Sequence, residues 1–361
     1  MAFQSTIEGD ADCSAQIQAT VQEAAATKTA LCIHGGGSKN FYGRTRSGKP
    51  LDLRNHRGIL NYQPSELIIT ARSGTPLAEI ESVLAEHGQM LPFEPPHFGP
   101  TATLGGTVAC GVSGPSRPST GALRDFVLGV KIINGKGEIL KFGGEVMKNV
   151  AGFDVSRLMA GALGTLGILL EISLKVLPRP QSTLTLSLQT SPHEAITLFN
   201  DWNSRPLPLS AACYDDGQLH VRLSGSDAAV QAAQQKIGGA VLHDGNVFWE
   251  LMREHQHGFF NDNTPLWRLS VPPATPPLNL PGQWLVDWGG AQRWLKNPLP
   301  AEVIRETVAR LGGHATLFRN GERKGQVFHP LPPAMLVIHK RLKYAFDPHG
   351  ILNRGRLYAE F

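Results

Sequence analysis

TLGGTVACGVSG, residues 103–114, sets Gly105, Gly106, Gly111 and Gly114 in a run of otherwise small residues. Glycine removes Cβ, so backbone at these positions can lie directly against a ligand. The stretch has the apolar period of neither an amphipathic helix nor an alternating strand, whereas GALRDFVLGVKIING, residues 121–135, carries a clear strand pattern. Residues 103–114 therefore read as a binding loop held on a rigid sheet. Proline-rich clasps, PFEPPHFGP before and SGPSRPST after, restrict its path.

Upstream, a helical lead-in at 11–26 is followed by an apolar strand at 29–33 that stops at HGGGSKNFYG. Successive N–H groups of Gly35, Gly36 and Gly37 can converge on one point, the nest that holds a phosphate, with Lys39 close by to offset charge. A plain hairpin turn is the competing reading. Strands are predicted at 51–53, 59–62 and 67–71, then a helix capped by Thr75, with Pro76 in its first turn and Gly88 at its end. Downstream, NGKG predicts a hairpin between strands 127–133 and 138–142. A helix-like MKNVAGFDVSRLM then leads to a third cluster, Gly161, Gly164 and Gly167, ahead of a strongly β-forming strand at 168–176. Beyond Pro178-Arg179-Pro180 the glycine loops give way to amphipathic segments (193–202, 227–237, 301–311) alternating with strands (184–189, 219–223, 284–288), as in a separate α+β unit. VPPATPPLNLP reads as a solvated connection across it.

The chain has 361 residues, 41% hydrophobic and 18% charged, which suits two folded domains and excludes disorder. A net charge of +4 without a basic cluster gives no nucleic-acid face and suits anionic small molecules. Cys13, Cys32, Cys110 and Cys213 are scattered, arguing against disulfides and against an iron–sulfur or zinc site, and for a reducing cytosol. The acidic opening MAFQSTIEGDADC does not suit a signal peptide, and no run reaches the roughly 18 apolar residues of a membrane span. Gly43 to Lys49 has P-loop spacing but is followed by Pro50, which lacks the hydroxyl that holds Mg²⁺; G-x-G-x-x-G is absent. Kinase, ATPase and Rossmann readings fall with them.

HGGGSK, TLGGTVACGVSGP and LMAGALGTLGILLEISLKVLP, in this order, resemble the flavin-binding domain of the vanillyl-alcohol oxidase / p-cresol methylhydroxylase (PCMH) family. Within it, GQMLPFEPPHFG, GALRDFVLGVKIINGKGEILKFGGEVMKNVAGFDVSRLMAGALGTLG and FDPHGILNRGRLY resemble the smaller FAD-binding subunits of glycolate oxidases (glycolate dehydrogenases). The resemblance implies an α+β fold: a two-subdomain PCMH-type FAD-binding domain (1–178), a smaller α+β cap on the substrate side (179–340), and a tail (341–361) returning to the flavin. It places the FAD pyrophosphate at Gly35, Gly36, Gly37 and Ser38, and continues the flavin contact along Thr103, Gly105, Gly106, Ala109, Gly111 and Gly121. Gly161, Gly164, Thr165, Gly167 and Ile168 would lie by adenine and ribose, and Asn353 near the flavin ring. Ser38 stands where covalent members often carry histidine, which implies non-covalent FAD. His34 stands where arginine is common, and Leu163 where many relatives have an acid.

No catalytic residue is assigned. Oxidation of a 2-hydroxy acid needs a base, a cation for the carboxylate and a hydride acceptor. His243-Asp244-Gly245-Asn246 is a fragment of the H-x-G-D-G-N-x-H segment of related dehydrogenases without its second histidine, and reads as a turn. His255 and His257 are two apart and share no helix face, so no metal is assigned. The resemblance implies a glycolate dehydrogenase subunit acting on a small 2-hydroxy acid, with a larger FAD-binding subunit and an iron–sulfur subunit passing electrons to a quinone. The chain would be cytoplasmic, or peripheral on the inner membrane through those partners. The alternatives are a non-catalytic assembly subunit and a stand-alone flavin oxidase.

Overall fold

The computed structural model describes residues 10–144 and 154–361. The first residues of the acidic opening, and residues 145–153 within the helix-like segment, lie outside them.

Ile168–Lys175 organises the first half of the chain. Its apolar run is almost continuous because both faces are covered. Leu169, Ile172 and Leu174 pack on one side with Leu77, Ile80 and Leu84 of the helix Leu77–Glu86, while Ile168 and Leu170 meet Ile17, Val21 and Ala24 on the other. The last three recur every three to four residues along the helix Ser14–Thr27, one apolar stripe. Ile168–Lys175 pairs antiparallel with Ile68–Arg72 and Val127–Ile133, and Ile59–Gln63 and Ile139–Gly143 complete a five-stranded sheet. The Asn134 hairpin forms as its sequence predicts. Leu31–His34 and Lys49–Asp52 form a separate parallel pair.

The structure changes two local readings. Thr75 does not cap its helix; Pro76 holds that position, and the Thr75 hydroxyl accepts from Gly58 N–H at 2.9 Å. Residues 103–114 are not all loop, since Leu104–Cys110 is a short helix. The Thr103 hydroxyl accepts from Gly106 N–H at 3.3 Å, and Gly111, at φ +63°, ends the helix by donating to the Thr107 carbonyl. Two glycines give this segment a poor helix propensity. Burial of Leu104 and Val108 overrides it, and a Cβ on Gly105 would stand 2.6 Å from that of Ser73.

Eight antiparallel strands form the second sheet, in the order Ala240–Val241, Ser182–Gln189, Gln218–Gly225, Leu209–Asp215, Gln283–Asp287, Gln292–Lys296, Leu266–Ser270, His314–Arg319. Helices Pro192–Asn203 and Asp227–Ile237 bury Phe199, Trp202 and Val230 in one of its cores. The proline-rich connection is anchored rather than wholly solvated: Thr275 and Leu280 are buried, and Arg293 donates to the Thr275 carbonyl at 2.6 Å. A final helix, Pro333–Phe346, leads the tail back to the first sheet.

Candidate functional site

Leu31–His34 delivers the first glycine motif to a cleft. One edge of this strand pairs with Lys49–Asp52 and the other with the tail, Leu31 N–H donating to the Ile351 carbonyl at 2.7 Å and Ile33 N–H to Asn353 Oδ1 at 2.8 Å. Past His34 both partners end. Among the described residues, the N–H groups of Gly35, Gly36, Gly37 and Ser38 donate to no protein acceptor. Consecutive unspent donors at a strand end make an anion cradle.

The glycines also hold the motifs together. A Cβ on Gly35 would run into the Thr103 side chain and one on Gly36 into the Thr101 carbonyl. The second motif abuts the third in the same way, with Gly111 against the Gly161 backbone at 2.9 Å. Gly164, at φ +71°, leaves room for the Asn353 amide at 2.9 Å. Gly106 is different: a Cβ there would meet only the capping Thr103 hydroxyl, at 3.1 Å, and would otherwise point into the cleft it lines.

The cleft is partly enclosed and partly open to solvent. Gly35, Gly36, Gly37, Ser38, Thr103, Gly105, Gly106, Ala109, Gly164 and Asn353 line it. Gly111, Gly121, Gly161 and Ile168 do not: Gly111 ends the short helix, Gly121 follows Arg117–Thr120, Gly161 faces open space, and the Ile168 side chain is in the core. Of the wider third cluster, Gly167 lines the cleft and Thr165 is buried beneath it.

Its walls carry Lys39, Arg46 and Arg356 and, among the described residues, no carboxylate. Lys39 is buried and donates to the His97 carbonyl at 3.2 Å; burial lowers its pKa. Arg356, lowered by burial to about 10, remains charged at neutral pH, and its guanidinium holds the Tyr42 and Arg44 carbonyls. The Ser73 hydroxyl, sealed from water and without a partner among the described residues, also lines the space. Free N–H donors, surplus positive charge and an orphaned hydroxyl fit a large anionic cofactor with polar edges. Arg356, Arg46 and Ser73 were missed in the sequence; only the GRLY tail segment that contains Arg356 hinted at one of them.

Residues 11–143 match the family model of the FAD binding domain. Glycolate oxidase subunit GlcE of Escherichia coli K12 is 49% identical over 351 residues, 97% of this chain and 99% of that one. The chain belongs to the GlcE family of glycolate oxidase subunits. Its cofactor is FAD and its class that of the FAD-dependent oxidoreductases. This GlcE-family chain is also 33% identical to a D-lactate dehydrogenase of Anaerostipes hadrus, but over 139 residues, 38% of the chain and 29% of that enzyme. Alkyldihydroxyacetonephosphate synthase shares the PCMH-type fold, with TM-score 0.66 and 15% identity across 94% of this chain and 74% of that one.

The cap of this GlcE-family chain treats its histidines differently from their sequence reading. His243 and Asp244 do turn the chain, but the turn starts a helix, Gly245–Glu254, that Gly245 seats against Thr185. His257 lies 3.6 Å from Asp215, whereas His255 is drawn into an aromatic cluster with Phe98, Phe260, Trp294 and Phe318. Among the described residues no three His, Cys, Asp or Glu side chains gather as a metal site.

Proposed function

We propose that this chain is the FAD-binding subunit of a glycolate dehydrogenase complex that oxidises glycolate to glyoxylate. The observation that carries the reading is the row of N–H groups at Gly35–Ser38, unspent among the described residues, beside a cleft lined by Lys39, Arg46 and Arg356. These donors take the FAD pyrophosphate, while Lys39, Arg46 and Arg356 offset its charge. Gly106 gives close approach, and Asn353 fixes the strand end and third glycine cluster on either side. Bound FAD supplies a two-electron acceptor. Ser38 offers no imidazole for a covalent link, so the flavin is held by these contacts alone.

On this reading residues 1–178 form the flavin domain, 179–340 the cap and 341–361 the returning tail. Electrons leave through an iron–sulfur subunit to a quinone-type acceptor, and a larger flavoprotein subunit completes the complex. Among the described residues no helix is long and apolar enough to cross a membrane, so membrane attachment would come through partners. Pro333–Phe346 is the surface we assign to the larger subunit. It exposes Met335, Val337, Ile338 and Tyr344 beside Lys340 and Arg341, contains no acidic residue and buries only Lys343. The fitting partner surface is an apolar groove rimmed by carboxylates.

The test is the absorption spectrum of the purified chain after reconstitution with FAD. A flavin spectrum whose chromophore is released intact by acid supports the reading; a colourless protein overturns it. Glycolate turnover by the chain alone and with its partner subunits then separates a complex subunit from a self-sufficient oxidase.

A further inference from the structure

The PFEPPHFGP clasp, residues 92–100, is fastened to the cap at two points. Glu94 meets Arg222 of the strand Gln218–Gly225 at 2.8 Å. Glu254, the last residue of the helix Gly245–Glu254, accepts from the N–H groups of His97 at 3.0 Å and Phe98 at 2.8 Å. Pro95 and Pro96 stiffen the span between the two points. Both ends are strained, since Glu94 and Phe98 are held in the left-handed region, at φ +44° and +52°. Such strain persists only where the surroundings enforce it, and it collects at functional sites.

Glu254 is itself in an unfavourable place. The C-terminal end of a helix carries partial negative charge and disfavours a carboxylate, and this one is only 10% exposed. The two backbone N–H groups and Arg253 Nε, at 2.8 Å, compensate it.

Phe98 N–H and the His97 carbonyl are the two ends of one peptide group. The N–H end donates to Glu254, and the carbonyl end accepts from Lys39 Nζ at 3.2 Å. Because the group is planar, aiming its N–H at the cap also fixes where its carbonyl points. A carboxylate at one end and an ammonium at the other polarise it in the same sense, so each bond strengthens the other. Lys39, on the wall of the FAD cleft, is thus anchored to the clasp and aimed from the cap. The other charged or titratable groups around it are Glu81, 2.9 Å from His97 Nε2, Cys110, Arg46 and Arg356 on the cleft wall, and Arg319, 5.2 Å from the Phe98 ring centroid. Burial lowers the Lys39 pKa, and Cys110, Glu254 and Glu81 oppose that shift.

We propose that Glu254 is a positioning residue for the cofactor site: through the His97–Phe98 peptide it aims Lys39 at the anionic part of FAD, so that seating of the cap and cofactor affinity rise and fall together. The proposal rests on the FAD reading above and adds to it a residue of the cap that governs it.

The test is a double-mutant cycle on the full chain, read by calorimetric titration with FAD. Glu254→Gln should weaken FAD binding by at least ~3-fold in the wild-type background and by less than ~2-fold in the Lys39→Met background. A residue that served only packing would weaken binding equally in both, and equal effects overturn the proposal. An NMR pH titration of the apoprotein with isotope-labelled lysines, Lys39→Met assigning the signal, reads the same relay without cofactor. There the Lys39 midpoint should move to lower pH in Glu254→Gln, and an unmoved midpoint overturns the proposal whether or not FAD binds. If Glu254→Gln melts too low to titrate, Glu254→Asp, which keeps the charge but shortens the reach, carries the same cycle. Failure of the wild-type chain to take up FAD counts instead against the cofactor reading, and the apoprotein titration then decides the role of Glu254.

Discussion

The Asn353 amide donates to the Leu163 carbonyl at 2.7 Å, and both residues are in the left-handed region, at φ +40° and +51°. With its Oδ1 on Ile33 N–H, one side chain ties the first strand to the third glycine cluster across the cleft. The cost of two strained residues is accepted where the contact sets the width of a cofactor site. Asn353→Ala should therefore cost about 1–3 kcal/mol of stability and weaken FAD binding by ~10-fold or more. Flavin fluorescence on dilution and a denaturant melt check both; unchanged FAD release would show that the width does not depend on this bridge.

The glycines of the cleft separate by what a methyl group would meet. Gly36→Ala drives a Cβ into the Thr101 carbonyl, which cannot move without opening the contact between the first two motifs, and should cost about 2 kcal/mol or more. Gly106→Ala adds a methyl that meets only the Thr103 hydroxyl, in a helix where alanine is favoured by up to about 1 kcal/mol. The apoprotein of Gly106→Ala should melt at or above the wild-type temperature while FAD affinity falls. Loss of apoprotein stability in that variant would mean Gly106 serves packing, like Gly36.

The order of the three glycine motifs and the strands that carry them was legible because both signals are local: Cβ-free turns beside β-branched runs. The helix at Leu104–Cys110 was hidden, since its propensity is poor and only burial of Leu104 and Val108 makes it form. Arg356 and Ser73 were hidden for another reason. Their roles depend on the tail meeting residues 42–44 and on a backbone passing behind Gly105, contacts between distant parts of the chain. The cap was least legible, because two histidines two apart in sequence give no sign that Phe260 and Trp294 enclose one of them, His255.

Asp287 makes stability depend on pH. Burial raises its carboxyl from 3.8 to about 6, so the folded chain binds a proton that the unfolded chain has released. The associated stability is fully present below pH 3.8 and is lost as pH rises through about 6. Between pH 4 and 7.5 this amounts to about 3 kcal/mol, order of magnitude, and Asp287→Asn should remove that slope. Urea melts of the two proteins across the range measure the difference; parallel curves would mean the carboxyl titrates normally.

The helix Pro333–Phe346 connects a partner surface to the cofactor. Its outer face leaves Ile338 47% and Tyr344 71% exposed, a cost few isolated subunits carry over a whole helix. On the inner face Lys343 Nζ is fully used: it meets Asp347 at 2.6 Å and the Thr165 and Leu352 carbonyls at 2.8 Å, beside Gly164 and Asn353 of the cleft. Ile338→Glu places a carboxylate where the partner groove is apolar, on a side chain already 47% exposed, so FAD content should hold and stability should change by no more than about 1 kcal/mol. Co-purification with the larger subunit should fall at least ~10-fold, because a charge desolvated without a partner costs several kcal/mol at an interface. Undiminished co-purification would move the docking surface off this helix, while loss of both partner and flavin would mean that the outer face supports the cleft directly.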